Sequence, residues 1–424
     1  MPGPVFSVPA ADSSVPPSDC EQSMTTVLPE EPRFPVPRGC PLHPPPCYSN
    51  QRRREPVSRV TLWNGARAWV VSRYEEVRSV LRDERFSADP TRPGFPEVAP
   101  AVPVARGLSL VNLDPPEHRH YRLTLSRGFL PRAMEAQRPA VRADVGRLLD
   151  RVCGDGRPSD LVARLAVPLP ALTISRVLGL PSGVRLFFER HSALIQATEP
   201  DPALLAGVLG ELRMAMTALV CDRREQPADD VISRLAVEHW GADRLSRDEV
   251  VALATMVLLA GHETTSNTVA LSLLALLRHP DQLAWLAEDP SEARVAVAVE
   301  ELLRYTTAAQ FFPRRVAVAD VEVGGVRIRA GEGVLVLLGP ANRDEDVFPD
   351  PDTLDLTRNS RRHLAFGHGV HQCLGHALAR VELQEVVGAV ARRLPALRLA
   401  TEVGELDFKD DGFVYGIRAL PVTW

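Results

Sequence analysis

Between Asp248 and Arg278 the hydrophobic pattern is nearly continuous, VVALATMVLLA, then the polar break GHETTSN, then TVALSLLALL. An apolar run of this length without proline predicts one helix buried on most sides, interrupted by polar chemistry at its middle. From Val57 the segment PVSRVTLWNGARAWVVSRYEEVRSVL alternates as two strands around Asn64–Gly65 and then becomes helical. Most of the remainder reads as helix, with short strands near Val316–Ile328, Gly333–Leu338 and Phe413–Val422. The predicted class is mainly α (α+β), with a small β-sheet region. The first fifty residues are rich in proline, serine and threonine. Residues 1–33 are expected to be disordered, and 34–424 to form the body, with chain from about Phe34 wrapping it.

Composition sets bounds. With 424 residues, 45% of them hydrophobic, the chain can bury a large core. A net charge of -5 gives no case for nucleic acid as a partner. No segment reads as an uninterrupted membrane span, and the N-terminus lacks the basic and apolar regions of a signal peptide, so a cytoplasmic protein without a membrane partner is expected. Six cysteines without disulfide-like density fit a reducing compartment. Cys40, His43 and Cys47 lack an evident fourth ligand and sit in a proline run, which argues against zinc. Of the 49 basic residues a single one, Lys409, is lysine, so any cationic patch is built from arginine.

The strongest chemical signal is FGHGVHQCLGHALAR, Phe366 to Arg380, which sets one cysteine, Cys373, in a glycine-rich loop entering a helix. Helix N-terminal N–H groups stabilise a thiolate, and Gly367, Gly369 and Gly375 can adopt positive φ and approach a flat ligand, while Phe366 can shield the sulfur. Taken alone, Cys373 could equally be a small buried hydrophobe. Phe366, Gly369, His371, Cys373 and Gly375 match the pattern Phe-x-x-Gly-x-His/Arg-x-Cys-x-Gly, and on them the chain resembles the cytochrome P450 family of soluble bacterial haem-thiolate monooxygenases. His371 stands where many members carry arginine.

The resemblance implies a single triangular α-rich domain, haem b ligated by Cys373, and O2 as cosubstrate. Three further segments follow in the family's order. In LLAGHETTSN, it implies that Thr264 faces the oxygen being activated and Glu263 relays protons, with Ala260 and Gly261 beside the cofactor. As bare chemistry, a buried Glu263 is costly unless paired or protonated, and Thr264 can also bond a carbonyl one turn earlier. EELLRY places Glu301 and Arg304 on one helix face, and the resemblance makes them a structural core pair, with Arg358 a further partner. In LDPPEHRHYRLTLSRGF, His118 and Arg122 share a face and suit haem propionates; the resemblance adds Arg315, in preference to Arg314, and His363.

The distal pocket is expected along Phe86–Leu110, Leu186–Leu212, Met256–Ala260, Thr306–Phe312 and Gly412–Ile417, with Leu259, Ala260, Thr307 and Val414 near a hydrophobic small-molecule substrate. The chain carries no Gly-x-Gly-x-x-Gly fingerprint and no ferredoxin-like cysteine set, so electrons from NAD(P)H are expected through a separate ferredoxin reductase and ferredoxin. Candidate docking contacts are Arg119, Arg127, Arg361, Arg362 and Arg380. A monomer catalysing hydroxylation or epoxidation in secondary-metabolite tailoring is the main expectation. Oxidative coupling, rearrangement or peroxide-driven oxidation at the same centre, and a non-catalytic haem sensor, remain the alternatives.

Overall fold

The structure, a computed structural model, describes residues 31–99, 109–154, 156–195, 200–240, 242, 244–410 and 412–424. Residues 1–30 of the segment expected to be disordered therefore lie outside the described residues, as does 100–108 of the expected pocket lining. Residues 31–33, which belonged to that segment, pair with the body. Thr61 N–H donates to the Pro32 carbonyl at 3.0 Å, and Phe34 N–H to the Thr61 carbonyl at 2.9 Å. The chain thus enters on the edge of the first sheet.

Helices dominate. In order they are α1 (Cys47–Arg54), α2 (Tyr74–Arg82), α3 (Glu117–Ser126), α4 (Pro131–Glu135), α5 (Arg138–Gly154), α6 (Pro168–Leu178) and α7 (Ser182–Ile195). There follow α8 (Pro202–Glu225), α9 (Val231–Arg234), α10 (Arg247–Arg278), α11 (Pro280–Glu288), α12 (Glu292–Thr306), α13 (Leu338–Ala341) and α14 (His376–Arg393). The apolar run becomes α10, 32 residues long and about 48 Å from end to end. It starts where Ser246 and Glu249 form a capping box, each satisfying the other's backbone N–H. Its C-terminal half packs with α5, α12 and α14 in the largest apolar cluster, and its N-terminal half with α6, α7 and α8 in the second. The polar break falls at the junction.

One helix departs from expectation. α8 is 24 residues and, by length and composition, apolar enough to cross a membrane. It is capped by Asp201, whose carboxylate accepts from Ala203 and Leu204 N–H, and it lays Leu205, Val208, Leu212, Met216, Leu219 and Val220 against its neighbours.

The strands are β1 (Val57–Thr61), β2 (Arg67–Val71), β3 (Phe86–Ser87), β4 (Ser159–Asp160), β5 (Arg314–Ala317), β6 (Val321–Val323), β7 (Val326–Ile328), β8 (Gly333–Val336), β9 (Arg398–Leu399) and β10 (Pro421–Thr423). They form a five-stranded sheet in the order β1-β2-β8-β5-β3, a three-stranded sheet β4-β10-β9, and the hairpin β6-β7. The hairpin turns on Gly324 and Gly325 at φ 55° and 78°, the left-handed pair that a two-residue turn requires. The strand expected over Phe413–Val422 shrinks to Pro421–Thr423. The earlier residues make only isolated bridges, Ala309 to Val414 and Phe408 to Ile417, because this stretch crosses α10 and α12 instead of joining a sheet.

Candidate functional site

Cys373 sits at the mouth of α14. The loop before it is closed by its own N–H, which donates to the Phe366 carbonyl at 2.8 Å. Gly367 and Gly369 take φ of 68° and 73°, and at Gly369 a Cβ would fall 2.4 Å from the Leu81 carbonyl oxygen, so no other residue fits. Gly375 differs from expectation. Its φ is -84°, and a Cβ there would meet no protein atom within 4 Å. Its place is explained by the flat ligand that can lie against it, not by backbone strain. The Gly375 and His376 N–H groups point at the sulfur, and Arg122 and Arg380 add positive charge; both pull the thiol pKa down against the desolvation that pushes it up. The residue is nevertheless exposed, so the sulfur faces accessible space inside the protein.

Donors converge beside it from three elements. His118 on α3 is 2% exposed, and its ring centroid lies 4.1 Å from that of His371 in the cysteine loop. Arg122, one turn on, and Arg315 on β5 depress the pKa of both imidazoles. His371 is pushed to about 3, chiefly by burial and then by Arg315 and His118. Arg315, itself buried, is pushed down to about 10 with Asp114 its opposing charge. A buried cluster of donors and cations with so little counter-charge is unstable alone and suits a ligand bringing two carboxylates. The donor set therefore fits the two propionates of haem, and Cys373 fits its iron. Strand alternation separates Arg314 from this group: its guanidinium lies over Phe95 and Phe413, at 5.1 Å from each ring.

On α10, Ala260 is exposed although Val257 and Leu258 are buried, and Thr264 lies one turn further on the same face. Thr264 Oγ1 donates to the Ala260 carbonyl at 2.8 Å, which leaves the hydroxyl able to accept. Gly261 faces elsewhere. A Cβ there would lie 3.0 Å from Ile174 on α6, so its glycine serves helix packing and not a cofactor. Burial pushes the Glu263 carboxyl up to about 7, with Lys409 opposing. Leu259 is partly buried in the second cluster, and Val414 is 4% exposed at its bridge to Ala309.

Beneath the loop lies the pair Glu301–Arg304, both 0% exposed, joined by two bonds of 2.7 and 2.8 Å. Arg358 Nε donates to Glu301 at 3.2 Å. Arg304 also holds the Asn342 and Pro351 carbonyls at 2.9 and 2.8 Å.

Three expected residues have other work. His363 spends Nε2 on Glu300 at 3.1 Å and accepts the Ala365 N–H at Nδ1, so neither ring nitrogen is left for a propionate. Thr307 is 4% exposed, its hydroxyl donating to the Leu303 and Arg304 carbonyls and accepting from Asn342 Nδ2 at 2.8 Å, which seals the end of α12 and removes it from the pocket. Arg380 binds Glu300 twice, at 2.6 and 2.9 Å, and covers the Phe366 ring at 4.6 Å. Arg119, Arg127, Arg361 and Arg362 are exposed.

Sequence reasoning passed over Glu300, Asn267 and the position of Lys409. Glu300 adjoins the paired Glu301, and Asn267 stands one helical turn from Glu263, so spacing carried a signal for both.

The chain belongs to the cytochrome P450 family, haem-thiolate oxidoreductases that incorporate oxygen from O2. The family model described as Cytochrome P450 matches residues 217–396. Among curated relatives, Cytochrome P450-SU2 of Streptomyces griseolus is 43% identical over 91% of this chain and 95% of its own. The 20-oxo-5-O-mycaminosyltylactone 23-monooxygenase of Streptomyces fradiae is 41% identical over 92% of each. Among solved structures, that of GfsF superposes with a TM-score of 0.88 at 40% identity, covering 93% of this chain and all of that one.

Proposed function

We propose that residues 34–424 form a cytoplasmic catalytic body that inserts one atom of O2 into a C–H or double bond of a hydrophobic natural product, a tailoring step in secondary metabolism. The observation that carries this reading is the accessible Cys373 sulfur, faced by the Gly375 and His376 N–H groups and flanked by the cluster of His118, Arg122, Arg315 and His371. Haem, when bound, supplies oxygen activation. Cys373 would ligate its iron, while the cluster would hold the propionates. Phe366, pinned by Arg380, would cover the thiolate from water.

Thr264 would orient the oxygen being reduced, and Glu263 would move protons at its carboxyl, poised near neutrality as a donor should be. Apolar residues along α10 and the C-terminal turn, Leu259 and Val414 among them, would exclude water around the substrate. Electrons would come from NAD(P)H by way of a ferredoxin reductase and a ferredoxin, docking on exposed arginines such as Arg361 and Arg362. One relative is named for a mycaminosyltylactone, so bulky lactones join terpenoids, steroids and fatty acids in the first ligand panel.

The test is optical. Haem-loaded protein should show a thiolate-type Soret band that a fitting ligand shifts from low to high spin, and Cys373→Ser should abolish the thiolate signature. A thiolate-type band retained in Cys373→Ser would overturn the assignment.

A further inference from the structure

Lys409, the chain's one lysine, reaches the middle of the central helix, where Nζ donates to Asn267 Oδ1 at 3.1 Å. Asn267 is 2% exposed and turns its other end to the helix, Nδ2 donating to the Glu263 carbonyl at 3.0 Å. The approach is close by construction. Gly416, whose carbonyl accepts the Lys409 N–H at 2.9 Å, comes so near that a Cβ there would fall 1.9 Å from Asn267 Oδ1. Loop, lysine, asparagine and acid form one unit.

The charges around Glu263 single out this lysine. Lys409 and Glu263 act on each other, each favouring the other's charged form against burial. Arg418, the other cation of the loop, pairs with Asp407 at 3.3 Å. His262, on the helix itself, contacts the Val167 carbonyl at 3.1 Å and is held neutral by burial, its pKa near 4. Arg176 on α6 and Glu382 on α14 act on one another. Residue type is informative too. A chain that otherwise meets every cationic need with arginine places here the compact ammonium, whose charge responds to burial as a guanidinium's does not.

We propose, building on the function above, that Lys409 is a positioning residue for proton delivery: seated on Asn267, it holds Glu263 ready to give a proton toward the reacting oxygen and to regain one from water. Each proton leaving the carboxyl is replaced by one from solvent, so Lys409 is unchanged over a cycle. It acts through charge and orientation.

The experiment uses haem-loaded full chain and reads the carbonyl stretch of the protonated Glu263 carboxyl by infrared difference titration, assigned by its loss in Glu263→Gln. In the native protein the midpoint lies at about 7. Lys409→Met should raise it by about one pH unit, the scale of losing one nearby opposite charge, and Lys409→Arg should hold it near the native value. The pH at which least reducing power escapes as hydrogen peroxide should move in the same direction. If Lys409→Met fails to fold, Lys409→Gln takes its place. A midpoint unmoved in a folded neutral variant would overturn the proposal. The infrared midpoint needs no turnover, and the thiolate spectrum tests the function separately, so the two can fail independently.

Discussion

Replacing Glu301 with alanine would leave the Arg304 guanidinium fully buried without its counter-ion. The pair is 0% exposed on both sides, and Glu301 also accepts from Ser360 Oγ at 2.5 Å and Asp355 N–H at 3.1 Å, so the substitution orphans several donors at once. Breaking a buried pair from one side costs about 3–5 kcal/mol. At roughly 1.4 kcal/mol per decade, that lowers the folded-to-unfolded ratio by about two to three and a half orders of magnitude. Arg304 retains the Asn342 and Pro351 carbonyls, which places the expected loss toward the lower end. Urea unfolding of the haem-loaded protein, followed by circular dichroism, measures it. The control is Glu292→Ala, which removes an exposed partner of Arg142 and should cost at most about 1 kcal/mol. Glu301→Leu combined with Arg304→Met should recover much of the loss, because the uncompensated charge goes with the pair. If Glu301→Ala costs no more than Glu292→Ala, the account of this network is wrong.

Two other outcomes are expected. Burial pushes the Glu382 carboxyl from an ordinary 4.5 up to about 8, so the folded state binds the proton more tightly than the unfolded one, and stability should fall as pH rises through that window. Glu382→Gln should therefore be more stable than native by about 2 kcal/mol above the window and indistinguishable from it at about pH 4, as thermal melts across pH would show. Neutralising Arg361 and Arg362 together should slow ferredoxin association several-fold at low salt and leave unfolding unchanged. Arg380→Met should instead lower stability and disturb the thiolate spectrum, since that guanidinium is committed to Glu300 and Phe366. Stopped-flow reduction at two ionic strengths separates the cases.

Local patterns predicted what local forces decide. The bounds of α10 followed from an apolar run and a capping signal at Ser246–Glu249, and the β6-β7 turn from its two glycines. Cys373 and the pair Glu301–Arg304 were legible because loop chemistry and helical spacing are written over a few residues. The errors concern partners far apart in sequence. His363 and Arg380 meet at Glu300 from 63 and 80 residues away, and spacing within a motif says nothing of that rendezvous. Gly261 and Thr307 were placed on the right elements with the wrong facing, because a helix's rotation is set by what packs on it: Ile174 for one, Asn342 for the other. The apolar length of α8 was missed because its isolated charges obscured a window that, averaged, is strongly hydrophobic.

The seating of Lys409 has a use beyond chemistry. A protease specific for lysine finds one peptide bond in the entire chain, and that bond lies on a loop whose side chain is clasped by Asn267 and whose backbone N–H is tied to Gly416. Cleavage there requires the loop to lift from the central helix, while the remaining 423 residues contribute no background. Digestion rate then becomes a stopwatch for the opening of one segment, readable in crude mixtures and as a function of added ligand.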